Sequence, residues 1–383
     1  MSKVYIAGGA RSYIGVENGM YRHVPAECLG AKVLGRVVQP YKEDLDLVIG
    51  GNAVGAGGNV TRLMMLTAGL PETIPAFTID LQCGSGLESI AVAAAKIRSG
   101  QAQVVAAGGF DSSSTAPRRG YHKNHPDYEK YGGNDFWYSV AKFAPGEHNE
   151  AAMLEGADRV ARKEGIGRRD MDAFVLRSHK LAKEARESGI LNDILVEVVE
   201  GKCADEGIRD RMSQKLLDRL PAILPDSPVL TAANTCLVND GAAFLILCSE
   251  EYLNEHGLTA WAEFVDAAEI GANPEESPRT AIMAMEKVLE KNHMRAEDAD
   301  IIECNEAFAV IDVLFERKYP HLLDRYNLLG GALAYGHPYG ASGGMITLHA
   351  IKALEKVKGN YAVISIAAAA GMGSAILIKR CDS

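Results

Sequence analysis

A cysteine and a histidine stand out because each lies among residues too small to fill a core. Cys83 sits in "DLQCGSGLES", between an apolar β-like run and the first turn of a helix. Backbone N–H groups and the macrodipole at a helix N-terminus favour a thiolate, so a cysteine there suits nucleophilic attack with a depressed pKa. Gly84 and Gly86 would let an acyl group and its carrier approach. The same position equally suits a buried, inert cysteine at a tight turn. His337 sits in "YGHPYGASGG". A histidine in such a loop is poorly explained as core filling; it suits taking a thiol proton or donating to an oxyanion. In "CNEAF", Asn305 ends a strand-like run with Glu306 beside it. Asn305 is there either a helix N-cap or a group that positions a water or carbonyl, at the strand end where α/β sheets bind ligands.

The elements that must position these groups alternate in type. "VYIAGG", "DLVIGGNAV", "PAFTIDLQC" and "AQVVAAGGF" read as buried strands around helices at 26–38, 60–69 and 86–98. Residues 117–228 change character, with a long polar and aromatic stretch followed by amphipathic helices ending at Gly165 and Gly189. From Val229 the alternation resumes with "VLTAAN", "AAFLILCS", "WAEFVDAAEIG" and a helix in "SPRTAIMAMEKVLEKN". The last quarter repeats the first: "ECNEAFAV", "YGHPYGASGGMITLHAI" and "YAVISIAAAAG" parallel "GGNAV", "LQCGSGLESIAVAAA" and "AQVVAAGGF". A duplication of this kind predicts two similar α/β halves about a pseudo-twofold axis, with Cys83 and His337 at matching positions.

Composition narrows the function. The 383 residues are 47% hydrophobic and 23% charged, ordinary globular values, and the net charge of -10 disfavours nucleic-acid or anionic-membrane partners. Seven cysteines without a CxxC pair argue against zinc and against a disulfide framework, so no metal is expected. The first residues carry no signal-like apolar segment, which gives a cytoplasmic expectation.

Taken together, these segments resemble the thiolases, the acetyl-CoA C-acyltransferase family. "RSYIG", the "CGSGLESI" block through "AAGGFDSSS" with Asp111 where the family has Glu, "TAANTCLVNDGAA", "NEAFA" and "GGALAYGHPYGASG" occur in the family's order along the whole chain. The resemblance implies an α/β fold of duplicated halves forming a five-layered αβαβα core. It divides the chain into 1–116 with 239–260, an inserted loop domain at 117–238, and 261–383. It implies an acyltransferase making or cleaving short-chain β-ketoacyl-CoA, with Cys83 as nucleophile and His337 as its activator. Asn305, through a water, would complete one oxyanion hole, and the backbone N–H groups of Cys83 and Ala369 a second. Arg209, Cys236, Met153 and Phe308 would contact the CoA thioester, a substrate rather than a resident cofactor. A homodimer or homotetramer is implied as well.

One departure bears on the chemistry. The family's second cysteine, in Cys-x-Gly-Gly-Gly-x-Gly, falls on Ala367 of "ISIAAAAGMGSAILIK", and two of its glycines fall on Ala369 and Ala370. Alanine has no ionisable group, so Cys236 or Cys304 is a possible substitute acid/base, with Cys236 preferred because its family counterpart touches CoA. The alternatives are acyl transfer or thioester hydrolysis without Claisen chemistry, or a non-catalytic CoA-binding subunit.

Overall fold

A computed structural model describes residues 2–381. The chain runs β1 (Val4–Ser12), α1 (Ala26–Val38), β2 (Leu47–Gly51), α2 (Val60–Thr67), β3 (Ala76–Ile79), α3 (Ser85–Arg98) and β4 (Val104–Ser112). It then leaves the sheet, forms α4 (Ala152–Glu164) and α5 (Arg168–Ser188), and returns as β5 (Asn239–Ser249). The second pass is β6 (Ala262–Gly271), α6 (Thr280–Lys291), β7 (Ile301–Cys304), α7 (Ala309–Lys318), α8 (Tyr339–Val357), β8 (Tyr361–Ala368) and β9 (Met372–Arg380).

The strands hydrogen-bond in the order β3-β2-β4-β5-β1-β6-β9-β8-β7. In the first half β3, β2 and β4 are parallel and β5 and β1 antiparallel to their neighbours. In the second β7 and β8 are parallel, with β9 and β6 antiparallel. The order of elements therefore repeats, except that the counterpart of β3 shrinks to a single bridge between Ile302 and Tyr326. The halves are not separate sheets: β1 and β6 join them, but only across Val4–Ile6 and Ala262–Phe264.

Layers follow from which faces are apolar. Helices α3 and α8 pack on each other and form the middle layer, in one hydrophobic cluster with the inward residues of both half-sheets, such as Val105, Leu245, Ile364 and Ile376. Helices α1 and α2 cover the outer face of the first half, and α6 and α7 that of the second. This is the five-layered αβαβα arrangement. The middle layer is tight: a Cβ at Gly86 would collide with the carbonyl of Gly340, and one at Gly343 with the backbone of Leu87. Gly86 thus serves the crossing of the two central helices, not, as its sequence context suggested, the approach of an acyl group.

The segment "VLTAAN" is not a strand. Asn234 accepts from Thr231 N at 2.8 Å and donates to Val229 O at 2.9 Å, while Thr235 Oγ1 donates to Thr231 O. These short side chains satisfy backbone groups that a ladder would otherwise use.

Candidate active site

The loop between β3 and α3 is held by its own residues. Ser85 Oγ accepts from Leu81 N at 2.8 Å and donates to Gln82 O at 2.6 Å, and Asp80 Oδ1 accepts from Gln82 N at 2.9 Å. This folding leaves Gln82 at φ 51°, a left-handed conformation uncommon outside glycine, directly before Cys83. Cys83 is 8% exposed at the N-terminus of α3. Its sulfur is approached by its own backbone N–H and that of Ala369, the first residue past β8.

The depressed thiol pKa expected from the sequence is not found. Burial raises the Cys83 pKa above the usual thiol range, and neighbouring Cys236 adds to this, outweighing the two backbone N–H groups that favour the thiolate. A helix N-terminus lowers a cysteine pKa only where it offsets desolvation, and none of the influences resolved on this thiol is a cation.

His337 lies at the matching N-terminus of α8 and is 1% exposed. Burial lowers its pKa to about 3, so the imidazole is neutral. Its Nδ1 is 2.6 Å from Ser342 Oγ, which donates its one proton to Pro338 O at 3.1 Å. That network assigns the tautomer: Nδ1–H donates to Ser342 and Nε2 keeps its lone pair. Asn305 Nδ2 lies 3.5 Å from Nε2. The oxygen of that amide, Oδ1, is buried with no partner among the described residues, an opening suited to a bound water. The backbone of His337 donates to Asn239 Oδ1 at 2.9 Å, and Asn239 in turn donates to Gly15 O.

The N-terminus of α8 is closed by Asp111 from the end of β4. Its carboxylate accepts from Gly340 N at 2.6 Å, from Ala53 and Val54 N, and from Asn52 Nδ2 at 2.8 Å. Burial still raises its pKa to about 6.

The remaining sequence candidates divide. Cys236 acts on the Cys83 thiol, and burial pushes its own thiol up to about 12. Its backbone N–H donates to Ala307 O at 2.9 Å, and Ala309 N donates to Asn234 O at 3.0 Å, so this loop is stitched to the segment after Asn305. Phe308, Ala367 and Cys304 are buried in one apolar cluster, against which Met153 and Cys236 pack. Cys304 faces away from Cys83: its neighbours are Ser365, Tyr326 and Asp312, and burial raises its thiol to about 12. Arg209 is exposed and lines a cleft of about 600 Å³ with Arg211, Arg219, Met212, Leu216 and Leu220. The lining comes only from residues 208–220 and does not include Cys83.

Tyr339 escaped the sequence reading. It stands two residues after His337, its ring edge-on to the imidazole with centroids 5.0 Å apart. The available signal was an aromatic hydroxyl within "GHPYG", beside a histidine already singled out. Among the described residues no cluster of three or more His, Cys, Asp or Glu could hold a metal, and no helix is long and apolar enough to cross a membrane.

The thiolase N-terminal domain family matches residues 4–251 and the C-terminal domain family residues 258–380. A curated relative from Staphylococcus aureus (strain MRSA252), named "Putative acetyl-CoA C-acetyltransferase VraB", is 33% identical over 386 residues, covering 99% of this chain and all of its own. The crystal structure of the Bacillus anthracis acetyl-CoA acetyltransferase is similar with a TM-score of 0.89 and 30% identity, covering 100% of this chain and 99% of that one. Human mitochondrial 3-ketoacyl-CoA thiolase in complex with CoA gives 0.87 and 28%, over 100% and 98%.

Proposed function

Because the chain belongs to the thiolase family of acyltransferases, we propose that it makes or cleaves short-chain β-ketoacyl-CoA through an acyl-cysteine at Cys83. One observation carries this reading: two backbone N–H groups, of Cys83 and Ala369, are aimed at the Cys83 sulfur. Donors placed there meet the oxygen of an acyl group once it is bonded to that sulfur.

The protein's own groups supply the rest. The thiol begins neutral, and His337 Nε2 takes its proton as sulfur attacks, so charge forms only when the carbonyl is in place. Asn305, with a water on its free amide group, and His337 then face the enolate oxygen of the second acyl unit. Arg209 binds the nucleotide end of CoA, its planar guanidinium suited to phosphate and to stacking on a base. Met153, Phe308 and Cys236 line the path of the acyl and pantetheine parts. In this reading residues 117–238 form an inserted loop domain between the halves 1–116 with 239–260 and 261–383. The protein is a cytoplasmic homodimer or homotetramer that acts on acyl-CoA without a resident cofactor, metal, nucleic acid or membrane.

Ala367 favours a second reading, acyl transfer or thioester hydrolysis without carbon–carbon chemistry, since the family's second thiol is absent. One experiment separates the two. The protein is mixed with acetoacetyl-CoA and CoA, loss of the ketoacyl thioester is followed, and Cys83 is examined by mass spectrometry. Turnover with an acyl adduct on Cys83 is expected; adduct without cleavage supports the second reading. A Cys83→Ala variant that stayed active would sink both.

A further inference from the structure

Tyr339 is the first residue of α8, and its position is fixed from both sides. The next residue, Gly340, donates to Asp111, and the ring meets His337 at 82°. The side chain is partly buried and packs against the core cluster that contains Cys83. Its hydroxyl has no hydrogen-bond partner among the described residues. The oxygen is not among the sealed, unpartnered polar atoms of the interior, so it opens to solvent and is free to meet the atoms of a bound ligand. After burial, the strongest influences on this phenol are the Cys236 and Cys83 thiols, with Asp111 and Glu17 weaker, so it stands beside the nucleophile and stays protonated.

Cys236 answers this description less well. Its thiol already rests on its own backbone N–H, and it occupies the loop stitched to Ala307. Cys304 lies among Ser365, Asp312 and Tyr326 and is not among the groups that act on the Cys83 thiol. Resting on the thiolase reading of the site, we propose that the Tyr339 hydroxyl is the proton donor and acceptor that stands in for the absent second thiol.

The step balances in the cleavage direction. The Cys83 proton passes to His337 Nε2 as sulfur bonds to the β-carbonyl carbon. The bond between the α- and β-carbons breaks, and its electron pair takes the Tyr339 proton, releasing acetyl-CoA and leaving the shortened acyl group on Cys83 and a phenolate on Tyr339. Incoming CoA gives its S–H proton to that phenolate, its sulfur bonds to the acyl carbon, and the bond from Cys83 to the acyl group breaks. The Cys83 thiolate recovers its proton from His337, which restores every group.

The test is Tyr339→Phe, which keeps the ring and its contact with His337. Two quantities are read: the acetyl adduct on Cys83 after prolonged exposure to acetyl-CoA, and exchange of the acetyl-CoA methyl protons with deuterated solvent, alongside cleavage of acetoacetyl-CoA. The adduct should persist, because a thiolate leaves without a proton more readily than a carbon does. Exchange and cleavage should fall about 100-fold. Exchange within about twofold of the parent, against the expected general-acid contribution, overturns the proposal. Loss of the adduct together with exchange also overturns it, since Tyr339 would then only support His337. A parent chain that forms no adduct at all removes the thiolase reading itself, and this inference with it.

Discussion

The two central helices begin in the same way and end up in opposite electrostatic states. The N-terminus of α8 receives a carboxylate, Asp111, from the first half; that of α3 meets, at Cys83, the end of β8 and the following Ala369, whose side chains are methyl groups. One dipole is thus complemented by a buried anion, and the other is left facing a neutral thiol. The difference separates structure from reactivity. The closed end fixes the position of His337, whereas the open end leaves a pair of N–H groups turned toward the Cys83 sulfur, which the proposed mechanism would use for a negative oxygen.

The comparison can be broken most severely at its closed end. Asp111→Ala removes the acceptor for Gly340, Ala53, Val54 and Asn52, and should cost about 3 kcal/mol in stability, read as a melting temperature lower by about 4 °C. An unchanged melting temperature would mean that water replaces the carboxylate and that the two helix ends are alike. At the open end, Cys83 is raised by burial and His337 lowered to about 3, so no ion pair is preformed. Alkylation of Cys83 by iodoacetamide should therefore rise about tenfold per pH unit from roughly pH 6 to 9, because only the scarce thiolate reacts. A flat rate over that window would reveal a stable thiolate and restore the depressed pKa that the sequence context suggested. The smallest effect is expected from Cys236→Ser, which keeps a small polar group against the pantetheine path. Steady-state thiolysis should change less than about threefold if the proton is carried elsewhere. A fall of a hundredfold would make that sulfur the carrier.

Much of this was legible before any coordinates. The strands and helices of both passes and their repetition follow from apolar periodicity and from the repeated small-residue segments, and Asn305 does meet His337. What was not legible depends on surroundings that a linear reading does not contain. The pKa of Cys83 is set by burial and by Cys236, far away in sequence. Gly86 looked like room for a substrate and proved to be room for the backbone of α8. Cys304 and Asn305 are neighbours in sequence, yet Cys304 packs among Ser365, Asp312 and Tyr326 while the Asn305 amide meets His337. The threonine and asparagine of "VLTAAN" looked extended and instead fold the chain onto itself.

The crossing of α3 over α8 has a consequence for how this chain can change through evolution. The spacing of the loops that carry Cys83 and His337 is measured out by hydrogens where side chains would be, at Gly86 and Gly343. Neither position offers a functional group, yet either one, enlarged by a single methyl, would wedge the two helices apart and carry Cys83 away from His337. Selection on catalysis therefore acts on positions that perform none of it, and a survey that weighed residues only by their chemistry would pass over them.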